Sequence, residues 1–201
     1  MYAAYQAANY VAASGLPGSV VECGVWKGGS SMMMMLTLAA RGVRDRDFFL
    51  YDTFEGMVEP GQRDVDFRGL EARDTWLQLQ SDGKQAWCYS SLDEVKENVT
   101  RTGYPLERVR FVRGKVEDTI PEQAPEGQIA LLRLDTDWFE STYHELKQLY
   151  PKLVTGGVVI IDDYGFWRGA REATDQYFRE ISAPVLLNRI DGTGRMLLKT
   201  K

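Results

Sequence analysis

Four short apolar runs in this chain each stop on a glycine or an acid, and the stretches between them read as helices. Val20 to Cys23 runs into Gly24. Phe48 to Asp52 and Ile129 to Asp135 each end in an aspartate, and Val158 to Asp163 ends in two. Short apolar runs bounded in this way read as strands buried on both faces. Val109 to Val112 adds another. The helices predicted between them are Ser30 to Ala40, Ser91 to Arg101, Glu140 to Leu149 (closed by Pro151) and Arg168 to Ile181. Ser91 and Glu94 carry the spacing of a capping box. Strand–helix alternation of this kind predicts an α/β, doubly wound, mainly parallel sheet. At the end, Val185 to Ile190 and Arg195 to Thr200 flank the turn sequence Asp191-Gly192-Thr193-Gly194. That is a hairpin signal. It predicts an antiparallel C-terminal strand and seven strands in all.

The alternation breaks once, between Thr53 and Ser90. That stretch is polar and glycine-containing, with Phe54, Met57, Phe67, Trp76 and Trp87 scattered through it. Connections this long are commonly functional lids or disordered loops; the aromatics favour a lid that packs, with a helix around Leu70 to Leu79, and a plain surface insertion is the equal alternative. The expected organisation is a single domain over residues 1–201, with 53–90 a lid or acceptor-pocket insertion. A chain of 201 residues is long enough for a sizeable core.

Composition removes several classes. Lys and Arg total 24 against 29 Asp and Glu, a formal net charge of −5. Such a diffuse acidic balance argues against nucleic acid or an anionic membrane surface as partner. No apolar run approaches the roughly 18 residues of a membrane span, and Met1 to Tyr10 lacks the features of a secretory signal. Cys23 and Cys88 form neither a disulfide framework nor a zinc motif. The expected location is the cytoplasm.

Glu22-Cys23-Gly24-Val25-Trp26-Lys27-Gly28-Gly29-Ser30 joins the first strand to the first helix. Gly24 permits a sharp turn. Gly28 and Gly29 let backbone approach a ligand at a helix N-terminus, where the dipole favours an anion, and Ser30 adds a hydroxyl. Trp26 stands where the dinucleotide fingerprint needs a glycine, and no Gly-Lys-Ser/Thr follows, so neither that fingerprint nor a P-loop is present. The loop suits a carboxylate or small polar group, or simply tight strand–helix packing. Asp52 follows one strand–helix–strand unit later, where an acid in nucleoside-binding sheets accepts ribose hydroxyls.

Asp135, Asp162 and Asp163 fall at strand ends that face one crevice in an open parallel sheet. Carboxylates gathered there repel one another, and a hard divalent cation such as Mg²⁺ is their natural counterion. One of the Asp162-Asp163 pair serving as a helix cap is the plainer alternative. Asp137, two residues beyond Asp135, is expected to point away from the ligand direction and to face an acceptor, positioned to take a hydroxyl proton. His144, the one histidine, is expected on a solvated helix face. The Met32 to Met35 run is expected in the core. No nucleophile with an adjacent base is apparent.

Taken together, these features resemble class I S-adenosylmethionine-dependent methyltransferases. The pattern Glu22-x-Gly24-x-x-x-Gly28-x-Ser30 is similar to the cofactor loop of the metal-dependent branch that includes catechol O-methyltransferase. VECGVWKGGSS, YDTFEGM, RVRFVRGKVEDTIP, LLRLDTDWFESTYHELKQLYPKL and GGVVIIDDYG resemble more closely the macrocin, mycinamicin and noviose sugar O-methyltransferases of antibiotic biosynthesis. The resemblance implies a Rossmann-like methyltransferase fold, S-adenosylmethionine and Mg²⁺ as cofactors, a vicinal sugar diol as acceptor and a homodimer. Cofactor contacts would come from Glu22, Gly24, Val25, Gly28, Ser30, Asp52, Thr53, Gly114, Lys115, Val116 and Asp135. The metal would sit on Asp135, Asp162 and Asp163, with Asp135 and Asp137 catalytic. Phe54, Met57, Asp137 and Tyr164 would border the acceptor. Family members carry a longer N-terminal segment over the acceptor, so that cover is expected to be short here. A catechol-type acceptor and a non-catalytic nucleoside-binding scaffold are the alternatives.

Overall fold

A computed structural model describes residues 1–81, 84–120 and 122–200. The chain opens with a helix the sequence reading did not anticipate, α1 (Tyr2–Ala13), whose Ala4, Ala7, Ala8 and Val11 are buried. Then come β1 (Ser19–Cys23), α2 (Gly29–Ala40), β2 (Phe48–Asp52), α3 (Ala72–Gln78), and the short strands β3 (Gln80–Ser81) and β4 (Lys84–Gln85). The rest of the chain is α4 (Leu92–Thr100), β5 (Val109–Arg113), α5 (Val116–Thr119), β6 (Ile129–Leu134), α6 (Phe139–Leu149), β7 (Leu153–Ile161), α7 (Arg168–Glu180), β8 (Asn188–Arg189) and β9 (Arg195–Leu198).

The main sheet has seven strands in the order β5-β2-β1-β6-β7-β9-β8. β5, β2, β1, β6 and β7 run parallel, and β9 is antiparallel to both β7 and β8. The predicted mainly parallel sheet with an antiparallel C-terminal strand is therefore present. Two elements differ in extent. β7 begins at Leu153, five residues ahead of the predicted start, through Gly156-Gly157 and a register shift against β6. Of the stretch Val185 to Ile190, only Asn188–Arg189 pairs. Both differences come from pairing across the sheet, which apolar periodicity cannot register.

Alternate strand residues enter opposite cores, as the period of two requires. Val20, Phe48, Leu50, Leu131, Val158 and Ile160 meet α1, α2 and α4. Val21, Tyr51, Val112, Leu132, Val159 and Ile161 meet α5, α6 and α7. Met34 and Met35 are fully buried, as expected of the methionine run, while Met32 and Met33 are half-buried. The Thr53–Ser90 insertion contains the expected helix as α3 and packs through its own cluster, in which Trp87, Trp138 and Trp167 meet pairwise with ring centroids 5.0 to 6.0 Å apart. No helix among the described residues is long and apolar enough to cross a membrane.

The strand order reverses between β1 and β6: β2 and β5 lie to one side, β7 to the other. An open sheet binds ligands in the crevice above such a reversal. Gly24 follows β1 there and Asp135 follows β6.

Candidate active site

β1 and β6 end in contact. Asp135 donates its amide to the Cys23 carbonyl, and Gly24 donates its own to Tyr51. Gly24 has φ +80°, and a Cβ built on it would lie 1.9 Å from the Asp135 carbonyl oxygen, so only glycine fits. The loop then enters α2 through Gly28, whose φ of +84° is again a glycine conformation.

Asp52, at the end of β2, shapes this loop. Its Oδ2 accepts from the amides of Val25 (2.7 Å) and Trp26 (2.9 Å), and its Oδ1 accepts from Phe54 (2.7 Å). A carboxylate has roughly four acceptor positions, so capacity for a further hydroxyl remains. Gly24, Asp52, Thr53, Gly114, Val116 and Asp135 line one cleft, with Lys115, Glu117, Thr136 and Ser141 beside them. Most residues expected at the cofactor thus share one cavity wall. Glu117, which accepts from Ser141 at 2.6 Å, was not singled out in the sequence. Val25 is buried just behind the turn, and Ser30 lies on α2 with its hydroxyl toward the Met1 sulfur. It is Ser31, not Ser30, that hydrogen-bonds Glu22.

Above β6 and β7 the carboxylates have a different environment. Arg133, almost wholly buried, donates from Nη1 to Glu22 Oε1 and Asp135 Oδ2 (both 2.7 Å) and from Nη2 to Asp162 Oδ1 (2.8 Å). Glu22, Arg133, Asp135 and Asp162 share a sheet face through the two-residue period. One guanidinium therefore balances three acids. Ligand oxygens of Asp135, Asp137 and Asp163 lie within 4.8 Å of one another, close enough to hold one ion. Asp162 is not in that group. Asp137 joins it from a left-handed backbone, φ +69°.

Too many negative charges meet here for the positive charge available. Burial pushes Asp135 up to about 8, against the pull of Arg133 and with the charges of Asp162 and Asp137 adding to the rise. Burial likewise lifts Asp137 to about 6, although a hydrogen bond with Asp163 opposes it. Asp163 is raised by burial and by Asp137 and Asp135, and its Oδ2 is buried without a hydrogen-bond partner. An orphaned carboxylate oxygen beside two further carboxylates is the donor set of a hard divalent cation, so the residues fit the group expected. Cys88 of the insertion also faces these acids. Although its side chain is exposed, partial desolvation, with Asp137, Asp135 and Asp52 nearby, pushes its thiol up to about 11. Nothing in the sequence places that cysteine here.

The residues expected at the acceptor divide. Met57 lines the cleft and packs against the tryptophan cluster. Phe54 is buried among α2 and α4 side chains and shows one edge to a wider groove that also holds Trp76 and Tyr89. Tyr164 turns from the crevice, donating its hydroxyl to Asp175 of α7 at 2.8 Å. His144 is half-buried rather than solvated, with Nε2 2.8 Å from the Ile120 carbonyl. That carbonyl belongs to the C-cap of α5.

The profile of the family described as macrocin O-methyltransferase (TylF) matches residues 1–199. The 8-demethyl-8-(2,3-dimethoxy-alpha-L-rhamnosyl)-tetracenomycin-C 4'-O-methyltransferase of Streptomyces olivaceus is 40% identical over 185 residues, which cover 92% of this chain and 67% of the relative. Demethyldecarbamoylnovobiocin O-methyltransferase of Streptomyces niveus is 34% identical over 196 residues, 98% of this chain and 71% of the relative. The solved O-methyltransferase NovP superposes with a TM-score of 0.86 at 33% identity, covering 100% of this chain and 79% of its own. Profile, sequence and superposition agree over nearly the whole length, and the chain belongs to the macrocin O-methyltransferase (TylF) family.

Proposed function

We propose that the chain transfers a methyl group from S-adenosylmethionine to a hydroxyl of a sugar bearing a vicinal diol, with Mg²⁺ as the divalent cation. The observation that carries this reading is the meeting of the glycine-lined cleft with the Asp135–Asp137–Asp163 cluster at the strand reversal. The family membership and the sugar O-methyltransferases among its relatives support it.

In this reading the cofactor lies along Gly24 and Gly28 with its ribose on Asp52 and its base against Gly114, Lys115 and Val116. Asp135 and Asp163 would hold the cation, while Asp162, bound to Arg133 through Oδ1, lies outside the cluster. When bound, the two groups supply the methyl electrophile and the positive charge that acidifies the acceptor's hydroxyl. Arg133 orients Asp135 and Asp162 through its hydrogen bonds and opposes the rise that burial imposes on Asp135. Asp137, on its strained turn, receives the hydroxyl proton as the oxygen attacks in line. The Trp87–Trp138–Trp167 cluster closes the insertion over the crevice and limits water there. Positioning of this kind carries much of the rate in a transfer between two bound reactants. The same reading takes 1–201 as one catalytic domain with 53–90 as its lid, a cytoplasmic setting, a small-molecule acceptor and a homodimer.

The test is a panel of sugar diols offered with S-adenosylmethionine and Mg²⁺ to the wild type and to Asp137→Asn. Loss of a general base lowers turnover by about a hundred- to ten-thousandfold. Asp137→Asn is expected to lose that much while binding S-adenosylhomocysteine as the wild type does. Turnover by the variant within a few-fold of wild type removes Asp137 from the chemistry. A wild type that binds no S-adenosylhomocysteine by calorimetry overturns the whole reading.

A further inference from the structure

The insertion is joined to the two turns that carry the acids. α6 follows Asp137, and its N-cap, Trp138, offers no side-chain acceptor to the free amides of the first turn. The acceptor comes instead from residue 64. Asp64 Oδ1 accepts from the Phe139 amide at 2.8 Å, and Oδ2 accepts from Gly61 at 2.7 Å. The Trp138 indole donates to the Val58 carbonyl at 3.1 Å. α7 follows Asp162 and Asp163, and its N-cap, Trp167, likewise makes no side-chain cap. Here the Arg168 amide donates to the Val65 carbonyl at 2.9 Å, and Asp66 bridges to Trp167. Asp64 is 2% exposed and wedged between the two helix starts: a Cβ at Gly169 would lie 2.0 Å from its Oδ1.

From this placement we infer that Asp64 is a positioning residue for the acidic cluster, capping α6 from the insertion and so holding Asp137 and its neighbours on their strained turn. A buried carboxylate at a helix N-terminus satisfies a free amide and meets the positive end of the helix dipole. A left-handed non-glycine residue such as Asp137 persists only where its surroundings determine it, and the Asp64 contact lies two residues away. The segment Asp64–Asp66 thus clamps the N-termini of both helices that follow the acid-bearing strand ends. The inference rests on the proposed cation reading for its functional consequence, while the clamp itself does not.

Asp64→Ala and Asp64→Asn test it, with Mn²⁺ alone and S-adenosylhomocysteine as probes and amide hydrogen exchange over residues 135–142 as a metal-free readout. Removing a group that orients metal ligands costs about ten- to a hundredfold in metal affinity. Asp64→Ala is expected to weaken Mn²⁺ by about tenfold and to speed exchange in that segment by about tenfold, with S-adenosylhomocysteine affinity held within about twofold. Asp64→Asn, which keeps one oxygen for the Phe139 amide, is expected to lose less. A folded Asp64→Ala with unchanged exchange, or one that loses both probes equally, overturns the proposal. If Asp64→Ala does not fold, Asp64→Asn decides. Mn²⁺ about threefold weaker with S-adenosylhomocysteine unchanged supports the clamp, and no change in either probe overturns it. A wild type that takes up no Mn²⁺ sinks the cation site, whereas the exchange comparison still decides the clamp.

Discussion

Asp52 and Asp163 follow the same plan, an aspartate at or just past the carboxyl end of a central parallel strand, yet their surroundings are opposite. Asp52 accepts three backbone amides, from Val25, Trp26 and Phe54. Asp163 keeps an oxygen with no partner and is surrounded by Asp135, Asp137 and Asp162. The first carboxylate is satisfied by the chain and sets the shape of a loop. The second is left short of positive charge, since Arg133 pairs with Glu22, Asp135 and Asp162 and not with it. Position on the sheet predicts that both face the crevice; the count of donors decides which one shapes backbone and which one is left with an unpaired oxygen.

Substitutions that separate the two sides sharpen the contrast. The largest effect is expected from Asp163→Ala, which removes a ligand from the cluster: Mn²⁺ affinity, read by calorimetry, falls on the order of a hundredfold while S-adenosylhomocysteine binding stays near wild type. Asp52→Ala is expected to do the reverse. It frees three amides at the glycine loop, lowers stability by about 2 kcal/mol in thermal unfolding and weakens S-adenosylhomocysteine by about tenfold or more, leaving Mn²⁺ in place. Equal loss of both probes in either variant breaks the comparison. The smallest effect concerns Glu145, under the other face of the sheet near Cys23 and Thr136. Its carboxyl is fully buried, neither oxygen makes a complete hydrogen bond, and burial raises its pKa far above the usual 4.5. A carboxyl raised in the folded state binds its proton more tightly than the unfolded chain does. The wild type therefore loses stability as pH climbs above 4.5, until the folded value is passed. Glu145→Gln removes that slope. It should melt like the wild type near pH 4.5 and above it at pH 8; equal melting at both values refutes the assignment.

What the sequence disclosed follows from what is local. The apolar runs and their acidic ends are contiguous, so the sheet and the acids at its rim could be read directly, whereas the reversal point depends on strand order, which is not local. Ser91 does cap α4, accepting from the Glu94 amide. The Glu94 side chain, however, receives the Ser90 hydroxyl instead of closing the box. Arg133 was half legible, since it shares a strand face with Asp135, but its contact with Glu22 crosses 111 residues. The Asp64–Phe139 bond spans 75 residues and rests on a loop with no periodicity. Glu145 was hidden because Tyr143, His144 and Lys147 around it are polar too, so the helix face it buries has no apolar signature. Left-handed turns at Trp26, Phe54, Cys88 and Asp137 were equally silent, none being glycine.

The contact between Gly24 and the Asp135 carbonyl has a consequence for anyone redirecting this enzyme's specificity. With no space between them for even a methyl group, donor loop and acid loop form a single datum. Changes made there would shift both reactants at once. The groove wall at Trp76 and Tyr89, away from the Asp64–Asp66 clamp, can be rewritten with that reference in place, so new acceptors are better sought there.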